Sequence, residues 1–527
     1  MTSTGAIVTA VREEGSSVAA AGNHIDWLID NAETYSRLLE SLRSARRSVR
    51  IAQLAFDADC AAYAGGSLAG SPSDDVAIAE LLIDLARNRG AEIKILLNAT
   101  WILNTARQLR KFFAERGVPE EQIEVRGLSR FPHFMHAKLV LIDEREAFLL
   151  GSPFVNSYWD DGAHIPFDAR RPSRELGGRP LHDVSAHLRG AAVRDLESLF
   201  ASVWDAAAPA QSAISRATRA ANASASGARQ TGVRVVADAP DGILPSRPDG
   251  TMQMLGELLA VIARARSFIY IEQQYLTSRI IVAALVDALY RNAALEIIIV
   301  LNQNPDLTAY RGWQNAQLRE HTLLSHPRVG VFSLWSTGAH PEHAGVTRIN
   351  QLFIHSKVIV VDDEWAAVGS SNLDGVSLGD YGADFASALG RSVFRGVRNV
   401  EVNLVIDAGT GMQSDSLLTD PIVTLRERLW REHLGWPRDS LTVRAHEGWL
   451  ATWRDVARAN ARRLGSPARI DTTGAMVGRL LPYSPRAYPR EQLADAGITL
   501  DPARLALCYN PGWFGVFASP HWIRNIF

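Results

Sequence analysis

Two short segments of the chain carry the same reactive groups at the same spacing: His136-Ala-Lys138 with Asp143, and His355-Ser-Lys357 with Asp362. Each reads His-x-Lys-x4-Asp, and each runs through an apolar stretch to a Gly-Ser pair, Gly151-Ser152 and Gly369-Ser370. The chain holds 14 histidines, and its lysines are Lys94, Lys111, Lys138 and Lys357 alone, with arginine used elsewhere for positive charge. Chance yields on the order of 0.1 His-x-Lys match in such a composition. Two imidazoles and two ammonium groups suit attack on a phosphodiester. A neutral imidazole can attack phosphorus and split one hard step into two. A protonated imidazole facing it can supply the leaving alkoxide's proton. Two lysines can hold the non-bridging oxygens as charge develops. The sequence contains no His-Glu-x-x-His or carboxylate cluster that would call for a metal, and none is expected.

Apolar residues at 139–142 and 358–361 place both motifs on strands. Side chains two apart on a strand share a face, so His136 and Lys138 point one way, as do His355 and Lys357. Asp143 and Asp362, seven residues from their histidines, face the other way and read as strand-end anchors.

The elements around the motifs are duplicated. Residues 35–56 read as an amphipathic helix followed by an apolar strand, and 255–276 repeat the plan. A helix follows in each half, at 76–88 and 280–291. A buried-type strand comes next, Glu92-Ile-Lys-Ile-Leu-Leu-Asn98 against Glu296-Ile-Ile-Ile-Val-Leu-Asn302. Strands alternating with helices imply sheets covered by helices. The fold class expected is α/β, two homologous domains related by a pseudo-two-fold axis, with one site built from both. The expected division is an N-terminal tail (1–24), a first domain (25–205), an Ala/Ser-rich linker (206–231), a second domain (232–436) and a C-terminal appendage (437–527).

The paired motifs resemble those of the phospholipase D superfamily, and the resemblance extends over residues 25–205 and 233–436. Gly369-Ser-Ser-Asn372 is similar to that family's Gly-Ser-x-Asn, and Ile271-Glu-Gln-Gln-Tyr275 to its Ile-Glu-Asn-Gln-Tyr segment. Leu181-His-Asp183-Val and Leu429-Trp-Arg-Glu-His-Leu-Gly435 are similar to the stretches that end its two halves. The first Gly-Ser pair departs from the pattern: Gly151-Ser-Pro-Phe154 has Phe where the family has Asn, with Asn156 nearby.

The resemblance implies a phospholipase D acting on a headgroup ester to give phosphatidic acid through a phosphohistidine, with transfer to alcohols. His136 is then the nucleophile and His355 the general acid and base. A cardiolipin synthase-like transferase and a metal-independent nuclease are the other readings it admits. Asp183 and Glu401 are implied as the carboxylates that orient the histidines, Asp183 assigned to His136 and Glu401 to His355. Ser370, Asn372, Ser152 and Gln273 are assigned to substrate. His133, His164, His182 and His433 are read as ordinary hydrogen-bonded or surface histidines.

Of the 527 residues, 47% are hydrophobic and 21% charged, enough for a large core, and the net charge of −2 speaks against a non-specific nucleic-acid binder. Cys60 and Cys508 exclude a disulfide framework. No apolar run approaches a membrane span, and the N-terminus lacks a secretory pattern. The expectation is a monomer, cytoplasmic or peripheral to a membrane, meeting phospholipid at the bilayer surface, with no nucleic-acid partner and no cofactor. Apolar segments at 101–103, 131–135 and 513–517 are candidates for a lipid-facing mouth.

Overall fold

The computed structural model describes residues 23–62, 76–100, 104–130, 133–171, 178–208, 232–306, 308–380, 396–408, 420–436, 448–466 and 476–508. Segments 101–103 and 513–517, Phe131, and most of 206–231 lie outside the described residues.

Two sheets repeat one topology. The first runs, in spatial order, His24–Ile29, Val184–Arg189, Glu146–Leu149, Leu139–Ile142, Ser48–Ala52, Glu92–Asn98 and Ile123–Leu128. The second begins Gly232–Asp238, Asn399–Asp407, Trp365–Gly369, Lys357–Val361, Phe268–Gln273, Glu296–Leu301 and Val329–Ala339, the same order strand for strand. In each, the strand after the first helix pairs parallel with its outer neighbour and antiparallel with the motif strand. The parallel pairs are joined by helices Ile78–Arg89 and Arg279–Arg291, the crossovers that such pairing requires.

Strand alternation sorts the core into layers. Leu139 and Leu141 join a central core with Val358 and Val360, while Val140 and Ile142 face the helices of the first half and Ile359 and Val361 those of the second. The central core is shared by both halves and by helices Ala192–Ala206 and Pro421–Leu434, through Leu196, Phe200, Leu429 and Trp430. The two halves are therefore one packed unit, and the site between them rests on a common core.

Residues beyond 436 extend the second half. Leu480–Pro482 pairs with Val329–Ala339, and Leu505–Leu507 pairs with Thr347–Gln351. Helix Trp449–Gly465 sends Trp453 against Tyr270, Phe332 and Trp430.

Two further short pairings cross between the halves. Phe134–Met135 lies parallel to Asn399–Val400, and Leu181–His182 lies parallel to Phe353–Ile354. Each joins the approach to one motif histidine to the approach to a carboxylate of the other half.

Candidate active site

His136 and Lys138 lie just before strand Leu139–Ile142, and their side chains meet, Lys138 Nζ being 3.4 Å from His136 Nε2. The backbone ahead of each motif is fixed by an asparagine at the end of a neighbouring strand. Asn98 accepts from Met135 N at 2.8 Å and donates to the carbonyls of Met135 and Leu54. Asn302 treats Ile354 the same way and donates to the Gln274 carbonyl. Sequence reasoning missed this pair, although both asparagines stand at the same place in the duplicated strand.

The carboxylates are exchanged relative to expectation. His136 Nδ1 lies 2.8 Å from Glu401 Oε2, and His355 Nδ1 lies 2.9 Å from Asp183 Oδ2. The crossed strand pairings are the reason. Both His136 N and Ala137 N donate to the Val400 carbonyl, which brings Glu401 alongside. His355 N and Ser356 N donate to the His182 carbonyl, which brings Asp183 alongside. Each histidine is thus oriented from the opposite half.

Ser152 and Ser370 each hold a carboxylate. Ser370 Oγ donates to Glu401 Oε2 at 2.5 Å, and Ser152 Oγ donates to Asp183 Oδ2. Ser377 and Asn399 add donors to Glu401 Oε1 at 2.7 and 3.0 Å. Asn399 stands two residues before Glu401 on the same strand face, which a period-2 reading could have found. Gly151 is required by Asp183: a Cβ there would sit 1.9 Å from Asp183 Oδ1.

Gln273 is in register with Lys357 and lines a small pocket beside it with Met254 and Leu258. The amide that reaches the ammonium is that of the next residue, Gln274, whose Oε1 accepts from Lys357 Nζ at 2.9 Å. Lys357 also donates to the His355 carbonyl. Asn372 is buried, and its Oδ1 lacks a hydrogen-bond partner among the described residues. The first half has no counterpart for it. Phe154 bridges Phe56 as Leu373 bridges Leu276, one residue sooner after the glycine. Asn156 does not fill the gap, since its side chain bonds Ala61 N and Asp59. Tyr158 stands edge-on to the His355 ring at 5.0 Å. The site is a two-fold frame with unequal contents.

Asp143 and Asp362 sit outside this group. Asp143 accepts from the backbone N–H groups of Arg46, Arg47 and Ser48 at 2.7–2.9 Å, and Asp362 from those of Arg266, Ser267 and Phe268 at 2.7–2.9 Å. Each ties the turn after the motif strand to the start of the adjacent strand.

Charge explains the poise of the site. Burial lowers Lys138 to about 7, with Lys357 adding repulsion against the pull of Glu401 and Asp183. Burial lowers Lys357 to about 8 against the same carboxylates. Burial and then Lys357 bring His355 down to about 3 although Asp183 opposes them. His136 is lowered by burial and by both lysines, with Glu401 opposing. Burial alone would raise Asp183 and Glu401; the histidine and lysine beside each hold them below the usual carboxylate range. Near neutral pH the unbound site therefore holds two neutral imidazoles over two carboxylates, with Lys357 mostly charged and Lys138 near its midpoint. An anion entering between the lysines is drawn in, and its charge favours protonation of an imidazole.

The family described as "Cardiolipin synthase, PLD-like domain" matches residues 38–155 and 258–413. A phospholipase D of Phytophthora infestans is 28% identical over 35% of this chain and 11% of its own length. The major cardiolipin synthase ClsA of Bacillus subtilis (strain 168) is 24% identical over 68% of this chain and 64% of its own. The chain thus spans less than two thirds of the length of these curated relatives. The crystal structure of a phosphatidylserine synthase from Haemophilus influenzae Rd KW20 superposes with a TM-score of 0.50 at 13% identity, over 81% of this chain and 91% of that one. This likeness is one of fold.

Proposed function

Since the chain belongs to the PLD-like domain family and so to the phospholipase D superfamily, we propose that it hydrolyses the headgroup ester of a glycerophospholipid to phosphatidic acid through a phosphohistidine. The observation that carries this reading is the crossed pair of carboxylate-backed histidines, each acted on by both lysines. Glu401 on Nδ1 leaves the Nε2 lone pair of His136 facing Lys138, the tautomer a nucleophile needs.

In the first step His136 Nε2 attacks phosphorus, the bond to the headgroup oxygen breaks, and His355 gives its Nε2 proton to that oxygen. In the second, water yields a proton to His355 as its oxygen attacks phosphorus, and the P–N bond breaks to restore neutral His136. Lys138 and Lys357 balance the phosphoryl oxygens throughout. His355 is neutral in the free site and takes up its proton as the anionic phosphodiester arrives. An alcohol in place of the water gives transphosphatidylation.

A second reading is a cardiolipin synthase-like phosphatidyltransferase, which the match to the Bacillus subtilis synthase favours. The two differ in acceptor. No helix of the described residues is long and apolar enough to cross a membrane. The test is incubation with phosphatidylcholine, phosphatidylethanolamine, phosphatidylglycerol and a plasmid, with products identified by mass spectrometry. Phosphatidic acid with released headgroup supports hydrolysis. Cardiolipin as the main product from phosphatidylglycerol supports the second reading, and nicked plasmid without lipid turnover rejects both.

A further inference from the structure

Behind Asp183, four segments from both halves bring Asp30, His164, His182 and Glu432 together, and the reaction above uses none of them. One atom from each lies within 4.8 Å of all the others. The three residues of the first half are fully buried, and Glu432 is 17% exposed. His164 Nε2 is 3.2 Å from Asp30 Oδ2 and 2.9 Å from Glu432 Oε1. His182 Nδ1 is 3.1 Å from Asp30 Oδ1 and 3.4 Å from Glu432 Oε1.

We propose that these four side chains form a divalent-metal site of the zinc class, His164 Nε2 and His182 Nδ1 giving nitrogen and Asp30 and Glu432 giving oxygen. Zinc bonds of roughly 2.0–2.1 Å in a tetrahedron set donor atoms about 3.3 Å apart, close to the 2.9 and 3.4 Å from Glu432 Oε1 to the two ring nitrogens; Asp30 meets those nitrogens through a different oxygen each, at 3.2 and 3.1 Å, and would turn one of the two to the ion. The directions of the groups agree. Among the described residues neither ring nitrogen of His182, for all its near carboxylates, and not Asp30 Oδ2 has a partner in hydrogen-bond geometry. A lone pair aimed at a point between two carboxylates accounts for a ring nitrogen that is near both and bonded to neither.

The remaining nitrogen of each histidine lies beside a carboxylate, hydrogen-bonded to it in His164, the arrangement common for metal-bound imidazoles. His164 Nδ1 is 2.9 Å from Asp160 Oδ2, and His182 Nε2 is 3.0 Å from Glu272 Oε1. Asp160 is held in turn by Arg171 and by Leu181 N.

The metal has a structural part in this arrangement. Asp30 N donates to the Asp183 carbonyl at 2.8 Å, Asp30 Oδ1 accepts from Asp183 N at 3.2 Å, and His182 adjoins Asp183 in the chain. A cation joining Asp30, His182 and Glu432 would therefore fix the main chain that carries Asp183 and clamp the last helix of the second half to the first.

The proposal is independent of the lipid reaction, and its test reads no turnover. Full-length protein, stripped with chelator and then incubated with zinc chloride, is desalted and its metal measured by plasma mass spectrometry, with thermal unfolding recorded before and after. The expectation is roughly one zinc per chain and a higher Tm when loaded. Glu432→Gln, at the most exposed ligand, should fold with an unchanged circular dichroism spectrum yet retain less than a tenth of the metal. Wild-type protein that retains below 0.1 equivalent, with no change in Tm on adding zinc, overturns the site and makes the cluster a network of protonated histidines. Equal metal in wild type and Glu432→Gln overturns the ligand set.

Discussion

Glu401→Gln keeps the side chain's shape and removes its charge. Glu401 accepts from His136 Nδ1 at 2.8 Å, Ser370 at 2.5 Å, Ser377 at 2.7 Å and Asn399 at 3.0 Å. With its oxygen towards His136 and Ser370, the amide turns its NH2 to Ser377 and Asn399, where a rotated hydroxyl and a flipped amide can accept, so the group should stay near His136 and the loss should be chiefly that of the charge-assisted bond. Such bonds contribute about 1.5–3 kcal/mol. At about 1.36 kcal/mol per decade, turnover of a short-chain phospholipid should fall roughly 10- to 200-fold. With the opposing carboxylate gone, His136 should titrate lower still, while His355, paired with Asp183, should move much less. Histidine-labelled ¹⁵N NMR over a pH series reads both rings, with assignment from His136→Asn and His355→Asn. Asp183→Asn should give the mirror result. A Glu401→Gln chain in which the His355 resonance moves and His136 stays would refute the crossed pairing. A loss of turnover under about 3-fold would refute the importance of the carboxylate.

Further outcomes follow from the same geometry. Lys138→Met removes a buried ammonium whose pKa is lowered to about 7. The unfolded chain binds that proton more tightly, so this lysine's contribution to stability improves as pH rises from about 7 towards the ordinary lysine value. The variant should therefore be inactive but more heat-stable at pH 6, with the gain shrinking by pH 10 in a series of melts. Sulfate does not titrate near neutrality, so its binding at pH 7 should take up about one proton more in wild type than in His355→Asn, where only the lysines remain to be charged, as calorimetry in buffers of different ionisation heat would show. Gly151→Ala drives a methyl into Asp183 and should cost at least about 100-fold in turnover, while Gly162→Ala, with nothing within 4 Å of the new carbon, should be near neutral in the same assay. Asp143→Ala removes the acceptor of three backbone N–H groups and should cost about 2–4 kcal/mol in urea unfolding, with turnover per folded molecule close to wild type.

The duplicated strands and the shared face of each His-x-Lys pair were legible because strand alternation is local: four consecutive apolar residues after Lys138 and Lys357 suffice. The α/β architecture followed from helices alternating with buried strands. The partner of each histidine was not legible. It depends on Phe134–Met135 lying beside Asn399–Val400 and Leu181–His182 beside Phe353–Ile354, pairings 265 and 172 residues apart that no local pattern encodes. Ser152 and Ser370 could be located but not aimed, because a hydroxyl at a strand end can turn to a ligand or to a neighbouring carboxylate. Gln273 and Gln274 differ by one residue, and the sequence leaves open which amide meets Lys357 where the strand ends. His164 and His182 read as ordinary because a lone histidine usually is, and only the fold brings Asp30 and Glu432 to them.

The central claim is that one site, built from both halves, carries the phosphoryl group on a histidine. Rapid acid-free quenching with a short-chain phospholipid labelled at phosphorus, followed by peptide mapping under alkaline conditions, tests it directly. The expectation is label on the peptide containing His136, accumulating in His355→Asn when the labelled substrate carries a nitrophenol leaving group that departs without a proton, and absent from His136→Asn. Label on His355, or turnover that inverts configuration at phosphorus without any labelled histidine, would contradict the account.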